Sequence, residues 1–146
     1  MQIKFLCLQK IHQQLRDELL SAFTGVLDSG QFILGNKVAE LESQFANYCG
    51  TKFAVGVGNG LDALELSLLA MDIGEGDEVI VPSHTFIATW LAVSRVGAKI
   101  VQAPICKNTY NIQGTALRDL ITPRTKAIIP VHLYGQPADM EVVTQL

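Results

Sequence analysis

Three short apolar runs constrain this chain most: EVIVP at 78–82, KIVQAPI at 99–105 and KAIIPVHL at 126–133, with helical periodicity between them. A strand that is apolar on both sides has to be covered on both sides, and helices between successive strands supply that cover. The spacing predicts helices over about 61–71, 86–96 and 115–121, with a last one starting near Met140. It also predicts a further strand at Lys52–Val57. Upstream, Ile11, Leu15, Leu19, Phe23 and Val26 mark an amphipathic helix over about 11–27, which Asp28-Ser29-Gly30 ends. A second helix is expected over about 37–48, ended by Gly50. The fold class is therefore α/β, a mostly parallel sheet with helices on both faces, in one domain spanning residues 1–146. Right-handed crossovers would place every strand's carboxyl end on one sheet edge, where open α/β sheets bind ligands.

Charge and composition remove several classes of function. Eleven basic residues against 14 acidic ones give a net charge of −3, which supplies no basic field for nucleic acid or anionic lipid. No run approaches the twenty or so apolar residues of a membrane span, and MQIKFLCLQKIHQQ has no cleavable small-residue site, so no signal peptide is expected. The three cysteines, Cys7, Cys49 and Cys106, lack any CxxC spacing. Neither a disulfide framework nor a metal site is expected, and a reducing cytoplasm fits.

Three segments fall at the predicted sheet edge. In Gly56-Val57-Gly58-Asn59-Gly60-Leu61-Asp62-Ala63 a glycine-rich turn runs straight into a helix. Backbone N–H groups at such a start, with the positive end of the helix dipole, suit a phosphate, and Gly60 would let it approach. A turn without a ligand is the plain alternative. Gly58-x-Gly60-x-x-Ala63 also matches a dinucleotide fingerprint, yet the next strand ends EVIVPSH with no carboxylate for a ribose. An NAD(P)-dependent oxidoreductase is thereby disfavoured. In Pro82-Ser83-His84-Thr85-Phe86, the Phe86 ring could stack on a flat cofactor or simply be the first core residue of its helix. His84 reads as a loop histidine. Val131-His132-Leu133-Tyr134-Gly135-Gln136-Pro137 sets polar groups at another strand end, with His132 read as structural. No Ser/His/Asp arrangement, nucleophilic cysteine or carboxylate pair accompanies them, which fits a cofactor that carries the reactivity itself.

These residues also carry a resemblance. SGQFILGNKVAELESQFANYCGTKFAVGVGNG, GNGLDALELSLLAMDIGEGDEVIVPSHTFIATWLAVSRVGAKIV and ITPRTKAIIPVHLYGQPADM resemble the DegT/DnrJ/EryC1/StrS family of pyridoxal-phosphate (PLP) sugar aminotransferases over nearly the whole chain. GNGLDAL and TYNI look most like the branch that aminates the 3-keto carbon of dTDP-linked 6-deoxyhexoses. The resemblance implies part of the large domain of the aspartate-aminotransferase fold, a homodimer, a nucleotide-sugar substrate and an amino-acid donor such as glutamate. It implies that Gly60, Leu61 and Asp62 hold the PLP phosphate, although Leu61 lacks the threonine hydroxyl that many members carry there. Phe86 would stack on the pyridine ring, and Phe32, Ile33, Leu34 and Gly35 would border the sugar-nucleotide site. A second departure is Gln102–Lys107, where many relatives are acidic.

In relatives, the aspartate that pairs with the pyridine nitrogen, the lysine that binds the cofactor covalently and a small C-terminal domain follow positions equivalent to Leu146. Lys52, Lys99, Lys107 and Lys126 match no catalytic position, so no catalytic residue is assigned, and these 146 residues alone are expected to be inactive. A non-catalytic interaction or regulatory protein and a gene remnant remain the competing readings.

Overall fold

The computed structural model describes residues 5–146. The chain divides into two compact units, Met1–Gly56 and Val57–Leu146. In the first, helices α1 (Leu8–Gln14), α2 (Arg16–Ser29) and α3 (Asn36–Cys49) follow one another. The single helix expected over 11–27 is thus two, parted at Leu15, whose φ of −98° and ψ of 8° leave the α region. The break is one residue wide, and hydrogen bonds run across it from Leu15 N to Ile11 O and from Leu19 N to Leu15 O. Gly30 (φ 65°) and Gly50 (φ 68°) end α2 and α3 in the left-handed conformation, as their positions predict.

The strand expected at Lys52–Val57 does not form. Its backbone is claimed by side chains instead: the Thr51 hydroxyl donates to Phe53 O, and Gly56 N donates to the Glu42 carboxylate at 2.7 Å. Without a ladder partner the segment stays irregular.

The second unit is built on a parallel three-stranded sheet. Helix α4 (Gly60–Ala70) leads by a turn to β1 (Glu78–Pro82), and α5 (Ala88–Arg95) to β2 (Lys99–Ala103). Helix α6 (Gly114–Leu120) precedes β3 (Thr125–Ile128), and α7 is Met140–Thr144. The order is β2-β1-β3, so β1 is central, and all five of its residues are buried. Its alternation feeds two cores. Val79 and Val81 join Leu68, Ala92 and Val93 beneath α4 and α5. Ile80 points the other way, to Ala103, Ile112 and Leu117.

Two strands are shorter than the sequence suggests. The last ladder bond of β3 runs from Ile129 N to Ile80 O, after which Pro130 has no N–H to donate. Pro104 does the same beyond β2, and Ile105 survives only as an isolated bridge to Ile112. Where β1 starts, the buried Glu78 carboxylate accepts from Lys99 Nζ (3.0 Å), Thr122 Oγ1 (2.6 Å) and Arg124 NH2 (2.9 Å). Those bonds hold its carboxyl down at about 2. This polar clamp closes the amino edge and leaves the carboxyl edge for chemistry.

Candidate functional site

Helix α4 ends in the turn that feeds the amino end of β1, so its start lies toward the sheet's carboxyl edge. That start is preorganised. Asn59 caps it, its Oδ1 accepting from Asp62 N at 2.9 Å while its Nδ2 donates to Asp62 Oδ2 at 3.0 Å. Asp62 folds back beneath the turn, where a Cβ at Gly58 would lie 2.6 Å from its Oδ2. Gly58 is therefore hemmed in by the Asp62 carboxylate, which a side chain there would have to push aside. Gly60 is not: a Cβ there would meet nothing within 4 Å, and its φ is not positive. The amides of Gly60 and Leu61 belong to the first helical turn and have no intrahelical acceptor.

The turn thus offers two outward N–H donors, a dipole end and a position kept small for no internal reason, which is what a phosphate needs. The sequence placed Gly60, Leu61 and Asp62 together here, but their parts differ. The Asp62 amide is taken by Asn59, so Asp62 shapes the turn while Gly60 and Leu61 have amides to donate. Asn59 was missed as a contributor, although an Asn directly before a helix start is a capping signal.

Phe86 stands in the turn after β1. It is 75% exposed, so it is not the first core residue of α5, which begins two residues later at Ala88. Its backbone is anchored even so: Thr89 N donates to Phe86 O, and the Thr85 and Thr89 hydroxyls are 3.0 Å apart, with Thr89 buried. Ser83 N extends the ladder to Ala103 O, and Trp90 Nε1 donates to Pro82 O. A large aromatic ring held in solvent by a fixed backbone is equipped to stack on a flat ligand. Since α4 and α5 pack together along one face of the sheet and both begin toward its carboxyl edge, cup and plate share that edge.

His84 is exposed in the same turn, and its ring lies 6.3 Å from that of Tyr110. Tyr110 in turn meets Tyr134 edge-on at 6.0 Å. His132 is structural as expected: its Nδ1 accepts from Ala138 N at 2.9 Å. No carboxylate follows β1, and Asp77 stands before it, bonded to Gly74 N, so the dinucleotide reading gains nothing. Behind the Tyr110 loop lies a groove of about 840 Å³ lined in part by Cys106 and Lys107. Amides of Asn108 and Thr109 hold the Cys106 thiol below its ordinary range. Among the described residues no three His, Cys, Asp or Glu side chains gather as a metal site, and no helix is long and apolar enough to cross a membrane.

In the first unit, Phe32, Ile33 and Leu34 are 66%, 85% and 84% exposed, ahead of Gly35 at the start of α3. Leu34 has a φ of 49°, uncommon for a branched residue.

The DegT/DnrJ/EryC1/StrS aminotransferase family model matches residues 13–146. The chain is 52% identical over 141 residues to a dTDP-3-amino-3,6-dideoxy-alpha-D-galactopyranose transaminase of Aneurinibacillus thermoaerophilus, covering 97% of this chain and 39% of that one. Its fold matches Streptomyces venezuelae DesV, solved in complex with a ketimine intermediate, with a TM-score of 0.94 at 48% identity, over 98% of this chain and 38% of that one. It also matches Bacillus subtilis NtdA, solved with bound pyridoxamine phosphate, with a TM-score of 0.93 at 32% identity, over 99% of this chain and 33% of that one. The chain therefore spans about two-fifths of the length of the curated relatives it matches. The family model over residues 13–146, and relatives about half identical to the chain, place it in the DegT/DnrJ/EryC1/StrS aminotransferase family, which has the PLP-type transferase fold and uses PLP.

Proposed function

We propose that the protein carrying this chain transfers an amino group from an amino acid such as glutamate to a nucleotide-linked keto-deoxysugar, with dTDP as the nucleotide. The observation that carries this reading is the solvent-held Phe86 at the same sheet edge as the open Gly60–Leu61 turn. PLP, when bound, supplies the electron sink that lets an amino group move between carbons. This chain's residues do the holding. Gly60 and Leu61 donate their amides to the phosphate, and the α4 dipole favours its charge. Asn59 and Asp62 fix the turn, so its amides need no rearrangement on binding. Phe86 covers one face of the pyridine ring and excludes water from it.

Lys99 is engaged by Glu78 at the amino edge, away from the Gly60–Leu61 turn and Phe86. Residues 1–146, which span about two-fifths of the relatives' length, are read as the N-terminal portion of a PLP-dependent large domain, working in a cytoplasmic homodimer. The exposed Phe32–Gly35 loop is read as a border of the sugar-nucleotide site, its apolar side chains awaiting cover.

The test is a titration with PLP followed by absorbance, then an assay with glutamate and a dTDP-linked 3-keto-6-deoxyhexose. The protein as its gene encodes it should bind PLP and form the amino sugar, whereas residues 1–146 alone should form none. Phe86→Ala should weaken PLP binding roughly tenfold, the loss of one good aromatic contact. Amino-sugar formation at undiminished rate by the Phe86→Ala variant would remove the plate from the mechanism, and absence of any PLP binding would overturn the reading.

A further inference from the structure

Tyr110 and Tyr134 are two of four non-glycine residues with positive φ among the described residues, at 60° and 57°. Both are bulky, a class for which that conformation is rare, and it persists only where the surroundings enforce it. Here the enforcing group is one buried side chain. Asn111, 3% exposed, donates from Nδ2 to Gln136 O at 2.8 Å and accepts at Oδ1 from Leu133 N at 3.0 Å. One amide therefore ties the loop after β2 to the loop after β3, next in sequence to Tyr110 and on both flanks of Tyr134. The first loop is closed further by Cys106 N to Asn111 O and Tyr110 N to Cys106 O, each 2.8 Å.

The rings so held stay exposed, Tyr110 at 49% and Tyr134 at 79%. They meet at 82°, and His84, two residues from Phe86, continues the row at 54° to Tyr110. Exposed aromatic rings held by a strained, over-determined backbone mark a surface built for a ligand. Rings at right angles form a corner. A planar base asks for a parallel slot, whereas a pyranose offers C–H groups on a face and hydroxyls on its rim, which suit one aromatic face beside a phenol.

Resting on the cofactor placement proposed above, we infer that Tyr110 and Tyr134 form a sugar-binding wall beside the cofactor plate, and that Asn111 is the positioning residue that holds it. The wall recognises the hexose ring of a nucleotide sugar and takes no part in binding its nucleotide.

The experiment compares calorimetric affinities for dTDP-D-glucose and for dTDP, in the protein as its gene encodes it, with a PLP titration alongside. The unaltered protein should bind dTDP-glucose roughly three- to tenfold more tightly than dTDP. Tyr134→Ala, a change at an exposed position, should bring that ratio close to one and leave dTDP and PLP affinities as they were. Tyr134→Phe should keep most of the ratio, because the ring remains. Asn111→Ala should lose the ratio as Tyr134→Ala does; if that variant fails to fold, the tyrosine pair still decides. An unchanged ratio in Tyr134→Ala, or a ratio of one in the unaltered protein, overturns the wall. If PLP fails to bind while the ratio still depends on Tyr134, the cofactor reading falls and the wall stands. If PLP binds and the ratio ignores Tyr134, the wall alone falls.

Discussion

Helix α2 announces itself by apolar periodicity and strand β1 by a continuous apolar run, yet α2 buries none of its residues and β1 buries all five. Phe23 and Leu19 of α2 are 61% and 52% exposed, and in α3 only Ala46 is buried. The difference is one of available surfaces. A period tells a segment which face to present; burial also requires a second surface within reach. Strand β1 has one on each side, α4 with α5 and α6 with α7. The helices of the first unit have apolar faces and scarcely a core.

The sharpest way to break this comparison is to truncate one apolar side chain in each region. Ile80→Ala opens a cavity in a fully buried position and should lower stability by about 2–5 kcal/mol. Phe23→Ala removes a larger side chain but should cost under about 1 kcal/mol, since most of it is already in water. Denaturant midpoints measure both. Equal losses would mean that α2 has a buried face after all. Amide exchange offers the same contrast residue by residue: Val79–Val81 should exchange only on global unfolding, and α2 through local fraying.

The acidic clamp of β1 separates the regions by pH. The folded carboxyl of Glu78 titrates at about 2 against an ordinary value of 4.5, because Thr122, Arg124 and Lys99 bond its charged form. A depressed carboxyl stabilises the fold fully above 4.5, and that contribution is lost as pH falls from 4.5 toward 2. Acid should therefore unfold the second unit with a slope that Glu78→Gln removes, read from urea midpoints between pH 7 and pH 2. A slope identical in Glu78→Gln would assign the acid sensitivity to other groups.

Much of this architecture is legible from residue patterns because the deciding interactions are local or periodic. The EVIVP run, the stop at Gly30 and the turn entering α4 all fall where the sequence puts them. What escaped depends on partners distant in sequence. Lys52–Val57 carries strand-forming residues, but side chains of Glu42 and Thr51 hold its backbone. Glu78 reads as a polar residue opening a strand, and its three partners lie 21 to 46 residues away. Of the candidate site, the Gly60 turn follows from position, while Leu61 and the stacking part of Phe86 follow only from the family resemblance. Asn111 did not, since an Asn in TYNI says nothing about the backbone 22 and 25 residues on. The shortening of β3 was readable in principle, because Pro130 is in plain view.

A small effect belongs to the turn that enters α4, and it probes whether the edge of the second unit is rigid before a ligand arrives. Asn59→Ala removes the cap on the Asp62 amide and frees the Asp62 carboxylate from Nδ2. Loss of an Asn cap costs about 1 kcal/mol, a modest shift beside that of Ile80→Ala. Its effect on ligand binding should be distinctive. With Asn59 gone, the Asp62 carboxylate loses its Nδ2 partner, and its charge is at liberty to swing toward the anion proposed to bind at the turn. Inorganic phosphate or PLP should then bind more weakly than the stability loss alone accounts for. Asn59→Asp keeps a capping oxygen but sets a second carboxylate beside Asp62, so it should retain stability better than the alanine variant and bind the anion worse. Isothermal titration of the two variants separates these outcomes. Equal anion affinity in Asn59→Ala and Asn59→Asp would show that the turn's amides act without regard to the charge behind them.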